Sequence, residues 1–252
     1  MPAEIKIQEK LQSQIKVRPL HSESRLWIET IVYSIILFIV ISAYYFITGK
    51  SFSGGIFNRI FADLAFILIG ISLMLSSICY FWDFADKFII YRKHLGLVGF
   101  AYLVIHILLS IFLPNYTPFA EYYLADIRIK AFIAAVIATI IFVGMTVISN
   151  RLAIHEIGPK RWRHLMRFGF IAYVLALYHF GAKGIQYWLP WLTGKSESLF
   201  PSFGMMSFAF GLTVIILRIA LWIATSGKKI SPTPQITTTP QSHEENNLPQ
   251  IS

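Results

Sequence analysis

Two histidines stand where an imidazole is costly. His106 closes the stretch RKHLGLVGFAYLVIH, which begins at Arg92, and His179 lies near the end of RWRHLMRFGFIAYVLALYHF, from Arg161 to Phe180. Each stretch opens on a basic cluster and continues as a long apolar run. An ionisable side chain inside hydrocarbon must find a partner, which makes both histidines functional candidates. His106 is eleven residues past Leu95, and His179 is eleven past Phe168, where the two apolar helices are expected to start. At about 1.5 Å of rise per residue, both imidazoles lie about 16–17 Å into helices that run the same way. Matched depth on parallel helices suits bis-imidazole ligation of an iron macrocycle. The alternative is that each ring simply hydrogen-bonds a neighbouring helix. A zinc site asks for three or four protein ligands, and no carboxylate or thiol occurs at this depth on either helix. A haem brings four nitrogens of its own, so two protein ligands suffice.

The other five histidines read differently. His21 and His243 fall in polar tails and His155 in a loop, all solvated positions. His94 and His164 sit at the mouths of the two key helices, beside Lys and Arg, and read as interfacial. The single cysteine, Cys79, rules out an intramolecular disulfide or a cysteine-ligated cluster and reads as a small packing residue.

The elements that must hold His106 and His179 are membrane helices. Of the 252 residues, 56% are hydrophobic and 14% charged, against about 25% charged in soluble domains. Apolar runs cover about Trp27–Thr48, Ile60–Trp82, Leu95–Leu113, Ala131–Ser149, Phe168–Leu189 and Phe203–Thr225. Each is long enough to cross about 30 Å of hydrocarbon. The fold class is therefore an all-α membrane protein, a six-transmembrane-helix bundle. With the N-terminus inside, sixteen of the 22 Lys and Arg flank the helices on the cytoplasmic side, which places both termini in the cytoplasm. These cations are spread over four flanking segments, so the net charge of +9 speaks for membrane topology rather than nucleic acid.

Residues 1–26 form a cytoplasmic N-terminal segment, either a short amphipathic helix or a mobile basic tail, without the apolar core of a cleavable signal peptide. Residues 27–226 form the haem-binding transmembrane domain. Residues 227–252, rich in Ser, Thr, Pro, Gln and Asn, form a disordered cytoplasmic tail. Asp63, near the start of the second helix, is expected at the interface, and the fourth helix reads as a bland support. No internal repeat is visible.

The two key stretches resemble the ferric reductase-like transmembrane domain family. That family includes the membrane cores of ferric reductases and NADPH oxidases, and MsrQ, the haem-binding partner of a periplasmic methionine sulfoxide reductase. The basic Leu-Gly-Leu opening before His106 and the arginine–tryptophan opening that ends in His179-Phe180 carry the resemblance, over roughly residues 60–225. It implies a haem b protein passing electrons across the membrane, an oxidoreductase subunit with His106 and His179 as axial ligands to the haem iron.

One departure concerns a second haem. The family commonly has a histidine thirteen residues before the deep histidine of the fifth helix, where Met166 stands here. His164 is two residues away, turned by about 200°, and His94 precedes His106 by twelve, about 120° off its face. Met166 is either a thioether ligand or ordinary packing. Lys183, one turn beyond His179, is placed to pair with a haem propionate.

No GxGxxG and nothing resembling a flavin or nicotinamide domain occurs. Electrons are thus expected from a separate donor, a flavoprotein or quinol, with flavin or quinone on the cytoplasmic side, and the acceptor is expected to be separate too. The expected setting is a bacterial inner (plasma) membrane. The competing readings are a small proton-coupled transporter and a non-catalytic membrane assembly factor. The first is disfavoured by the lack of paired intramembrane carboxylates or matching broken helices.

Overall fold

The computed structural model describes residues 23–51, 53–113, 126–196 and 198–226, and among them every regular element is a helix. The long helices are α1 (Glu23–Ile47), α2 (Gly54–Phe81), α3 (Arg92–Phe112) and α4 (Asp126–Val147). Two short ones follow, α5 (Arg151–Ile157) and α6 (Pro159–Leu165), and then α7 (Phe168–Leu192) and α8 (Phe203–Ser226). Six helical stretches are long and apolar enough to span a bilayer, which makes the chain a multi-pass membrane protein. The amphipathic segment expected before residue 23, the loop 114–125 and the tail 227–252 lie outside the described residues.

The helices follow the six apolar runs, with three departures. First, α2 starts at Gly54 rather than Ile60, because the Ser53 hydroxyl caps it by accepting from the Ile56 N–H at 3.4 Å. The longer helix carries Asp63 about 13 Å from its start. The expectation of an interfacial carboxylate is corrected: Asp63 is 1% exposed, and the Tyr45 hydroxyl donates to its Oδ2 at 2.8 Å. Second, the link between α2 and α3 is a 3-10 helix, Asp83–Tyr91, with Phe84 and Phe88 exposed. Third, the stretch around Gly158-Pro159 holds two short helices. Gly158 parts them at φ 83, a left-handed conformation, and Pro159 opens α6.

The second helix is the axis of the bundle. Just over half of its apolar span (56%) is buried, against 22% or less for the other spans, which face lipid on most of their surface. It contributes to both core clusters. One gathers Ile41 and Tyr45 of α1, Ile60, Leu64 and Leu68 of α2, and Val98 of α3. The other gathers Phe66, Ile69 and Leu73 of α2 with Ala138 and Phe142 of α4, Ala172, Tyr173 and Leu177 of α7, and Val214 of α8. Helices α2 and α3 touch closely at Gly99, where an added Cβ would stand 3.0 Å from the Ile69 backbone nitrogen.

An internal repeat, invisible as residue identity, emerges from the packing. The pair α2–α3 and the pair α4–α7 place equivalent residues 73 positions apart, among them His106 and His179, Gly96 and Gly169, and Ile69 and Phe142.

The close contact at Gly99 makes a direct prediction. Gly99→Val is expected to cost about 2 kcal/mol through overpacking and to lower the thermal midpoint of the detergent-solubilised protein by several degrees. Gly144→Val, where a Cβ meets nothing within 4 Å, is expected to leave the midpoint unchanged.

Candidate functional site

His106 of α3 and His179 of α7 line one cavity of about 370 Å³ between α2, α3, α4 and α7. Their ring orientations are set from behind. His106 Nδ1 lies 3.1 Å from the Asn58 carbonyl oxygen and 2.7 Å from the Asn58 Oδ1. His179 Nδ1 lies 2.9 Å from the carbonyl oxygen of Ala131. A backbone carbonyl can only accept, so each Nδ1 carries the proton and donates it. Each ring is thereby held in the tautomer whose Nε2 keeps its lone pair, the form that ligates a metal. The Asn58 amide is itself held, its Nδ2 donating to the Ser110 hydroxyl at 3.0 Å.

The repeat shapes the cavity. In both histidine bonds the acceptor lies 48 residues earlier in the chain, on the partner helix of the same pair. Ala62 and Ala65 of α2 and their equivalents Ala135 and Ala138 of α4 line the slot with small side chains, leaving room for a planar guest. The Phe66 ring lines the slot too, stacked on Tyr173 at 4.6 Å and on Phe180 at 5.2 Å. Ser110 and Lys183, again an equivalent pair, stand at the end of the slot nearest the C-termini of α3 and α7.

Two imidazoles on opposite helices, with no third protein ligand, are an incomplete set for a bare metal ion. Among the described residues, no group of three or more His, Cys, Asp or Glu gathers to hold one. The donor set fits a planar iron macrocycle: two neutral imidazoles with free Nε2 lone pairs, an alanine-lined slot, and a cation at one end.

The remaining sequence candidates divide. His94 and Met166 line a second, larger cavity near the N-termini of α3 and α7, so neither joins His106 and His179. His164 joins neither cavity; it is exposed on α6, with Nδ1 2.8 Å from the Lys160 carbonyl oxygen. Lys183 lines the first cavity with both histidines. Residues that sequence reasoning passed over are Asn58, Ser110, Ala131 and the Ile69–Phe142 pair. The common 48-residue spacing from acceptor to histidine is the one signal that could have flagged Asn58 and Ala131 in advance.

Fold and site together define a six-span, all-α membrane protein whose core brings two histidines to one cavity. Residues 61–177 match the family model described as ferric reductase like transmembrane component, which suggests a membrane electron-transfer role, and domains of that family generally bind haem. No curated protein sequence matches the chain. The matched stretch runs from within α2 to the first ten residues of α7 and contains His94, His106 and Met166, while His179 and Lys183 lie just past its end.

The bond behind His106 carries a prediction. Asn58→Ala removes the shorter of its two acceptors and is expected to weaken haem retention about tenfold, in line with other outer-shell partners of metal ligands. The check is haem loss to an apomyoglobin trap from the detergent-purified protein.

Proposed function

We propose that this protein is a haem b electron-transfer subunit, in which Nε2 of His106 and Nε2 of His179 hold the iron of one haem in the alanine-lined cavity. The observation that carries this reading is the shared tautomer: both Nδ1–H groups are tied to backbone carbonyls of partner helices. Bound there, haem supplies a ferric/ferrous couple that takes or gives one electron at a time. The chain supplies the rest. Asn58 and Ala131 orient the two ligand rings, and Phe66 and Tyr173 wall the slot. Lys183, at the end of the same cavity, is placed to pair with a propionate.

Electrons come from a separate donor, a flavoprotein or a quinol, and leave to a separate acceptor on the other face of the membrane. The excess of Lys and Arg on one set of flanks supports cytoplasmic termini, and the reading sets the donor on that same side of a bacterial plasma membrane. His94 and Met166 share a different cavity and His164 is exposed, so the reading assigns one haem per chain.

Purified protein is expected to show a reduced-minus-oxidised α-band and Soret difference, with one haem per chain by pyridine haemochrome assay. His106→Ala and His179→Ala should each abolish the spectrum, whereas His155→Ala, on the exposed α5, should not change it. Purified protein that carries no haem and cannot be reconstituted with it sinks the reading. Transport activity in liposomes without a chromophore would point to the proton-coupled carrier instead.

A further inference from the structure

Arg218 is a charge inside a membrane span. It stands on α8 eight residues before Ser226, about 12 Å from that end of the helix. A cation at such depth is costly, and where one persists a partner is expected for it. Its guanidinium packs over the Phe170 ring of α7 at 4.3 Å. A ring face attracts a cation without neutralising it.

Two further guanidinia come to the same place. Arg167 precedes Phe170 by three residues, and its carbonyl accepts the Phe170 N–H at 3.1 Å, so its side chain neighbours the same ring. Arg218 lies within electrostatic reach of Arg167 and also of Arg92, at the start of α3. Among the described residues, no carboxylate makes an ion pair with any of the three. Asp86 and Arg92 both neighbour Cys79, yet they are not paired, and the group keeps a net positive charge. Like charges held together where water screens them poorly repel, and an anion between them removes the repulsion.

The surroundings describe that anion. Arg167 is exposed and Arg218 partly so, and neither lines a cavity, which leaves both to the outer surface of the bundle. Exposed apolar side chains stand one turn from each: Ile171 after Arg167, and Trp222 after Arg218. Ile219, exposed as well, adjoins Arg218. A basic site between membrane helices, flanked by apolar side chains, suits a phospholipid head group with its acyl chains alongside. The planar fork of arginine matches phosphate oxygens in pairs. A soluble phosphate makes no use of the apolar flank. A zwitterionic head group brings its own cation, so the net positive charge favours one without it.

We infer that Arg167 and Arg218, with Arg92 as a third charge, hold the phosphate of an anionic phospholipid whose acyl chains lie against Ile171, Ile219 and Trp222. The lipid is the counter-ion that joins α7 and α8 to the start of α3. Binding needs no haem, so the site stands or falls apart from the electron-transfer reading.

The test uses the full chain in detergent, with phosphatidylglycerol and phosphatidylcholine of identical acyl chains as probes. Native mass spectrometry is expected to show phosphatidylglycerol retained about tenfold more tightly than phosphatidylcholine. Arg218→Gln and Arg167→Gln are each expected to lower that preference about fivefold, as for one arginine at an anionic head group. Lys195→Gln, an equal loss of charge beyond the opposite end of α7, is expected to keep it. Phosphatidylglycerol is also expected to raise the thermal midpoint of wild type more than phosphatidylcholine does, and Arg218→Gln to lose that extra gain. Arg167 is exposed, so its variant decides the matter if Arg218→Gln fails to fold. Equal retention of the two lipids, or an unchanged preference in the arginine variants, overturns the inference and leaves side chains that merely reach for the interface. Displacement of phosphatidylglycerol by inorganic phosphate at equal concentration overturns it too, because the ligand is then a soluble anion.

Discussion

A bilayer offers no water to the hydrogen-bonding groups it surrounds, so each deep imidazole must settle its N–H inside the protein. Leaving one unbonded in apolar surroundings costs about 1–3 kcal/mol, a sizeable share of the stability of any fold. Here both settle on main-chain oxygens of neighbouring helices, Asn58 and Ala131. Much else follows from those two bonds. They fix the tautomers, they tie α3 to α2 and α7 to α4, and they leave both ring faces and both Nε2 atoms for a guest. A backbone carbonyl is a good anchor because its position depends on the helix rather than on a rotamer.

The two pairs do this in the same way because they are equivalent, residue for residue, at a spacing of 73. What repeats is the placement of the histidines and of the small lining residues rather than the sequence as a whole. Alanines line the slot at 62 and 135 and at 65 and 138, and the bulky pair Ile69 and Phe142 closes its inner end. Each pair needs a small residue for close helix approach, and glycine stands at the equivalent positions Gly96 and Gly169. The second helix is buried along more of its span than any other because it serves its own pair and also receives α1 and α8.

Two buried hydroxyls of this bundle tie helices together. Asp63 is held by Tyr45 in the cluster between α1 and α2. The Tyr173 hydroxyl reaches the Phe66 carbonyl oxygen at 3.3 Å, which links α7 to the axis helix. His94 lines the larger cavity with both ring nitrogens covered. The two cavities therefore differ in kind. One is a small slot lined by two histidines of matching tautomer, and the other is a roomier chamber with a polar rim and a single imidazole.

The sequence by itself determined the six spans, because crossing hydrocarbon demands about twenty uncharged residues and nothing else meets that demand so cheaply. It also pointed to a common level for His106 and His179, counted from expected helix starts at Leu95 and Phe168, and one cavity takes in both although α3 begins earlier, at Arg92. The family resemblance was legible because its motifs are contiguous in the chain, one within α3 and the other running from α6 into α7. Tertiary structure alone decided the rest, because those features depend on which helix faces which. The bonds to Asn58 and Ala131 join residues far apart in the chain, and Asp63 was drawn inward by a hydroxyl on another helix. The repeat escaped notice because Ala, Val, Leu, Ile and Phe exchange freely at packed positions while volume is conserved. His94 turned away from His106, as a helical count of twelve residues requires, but only the packing of α1 and the 3-10 helix made that direction a cavity.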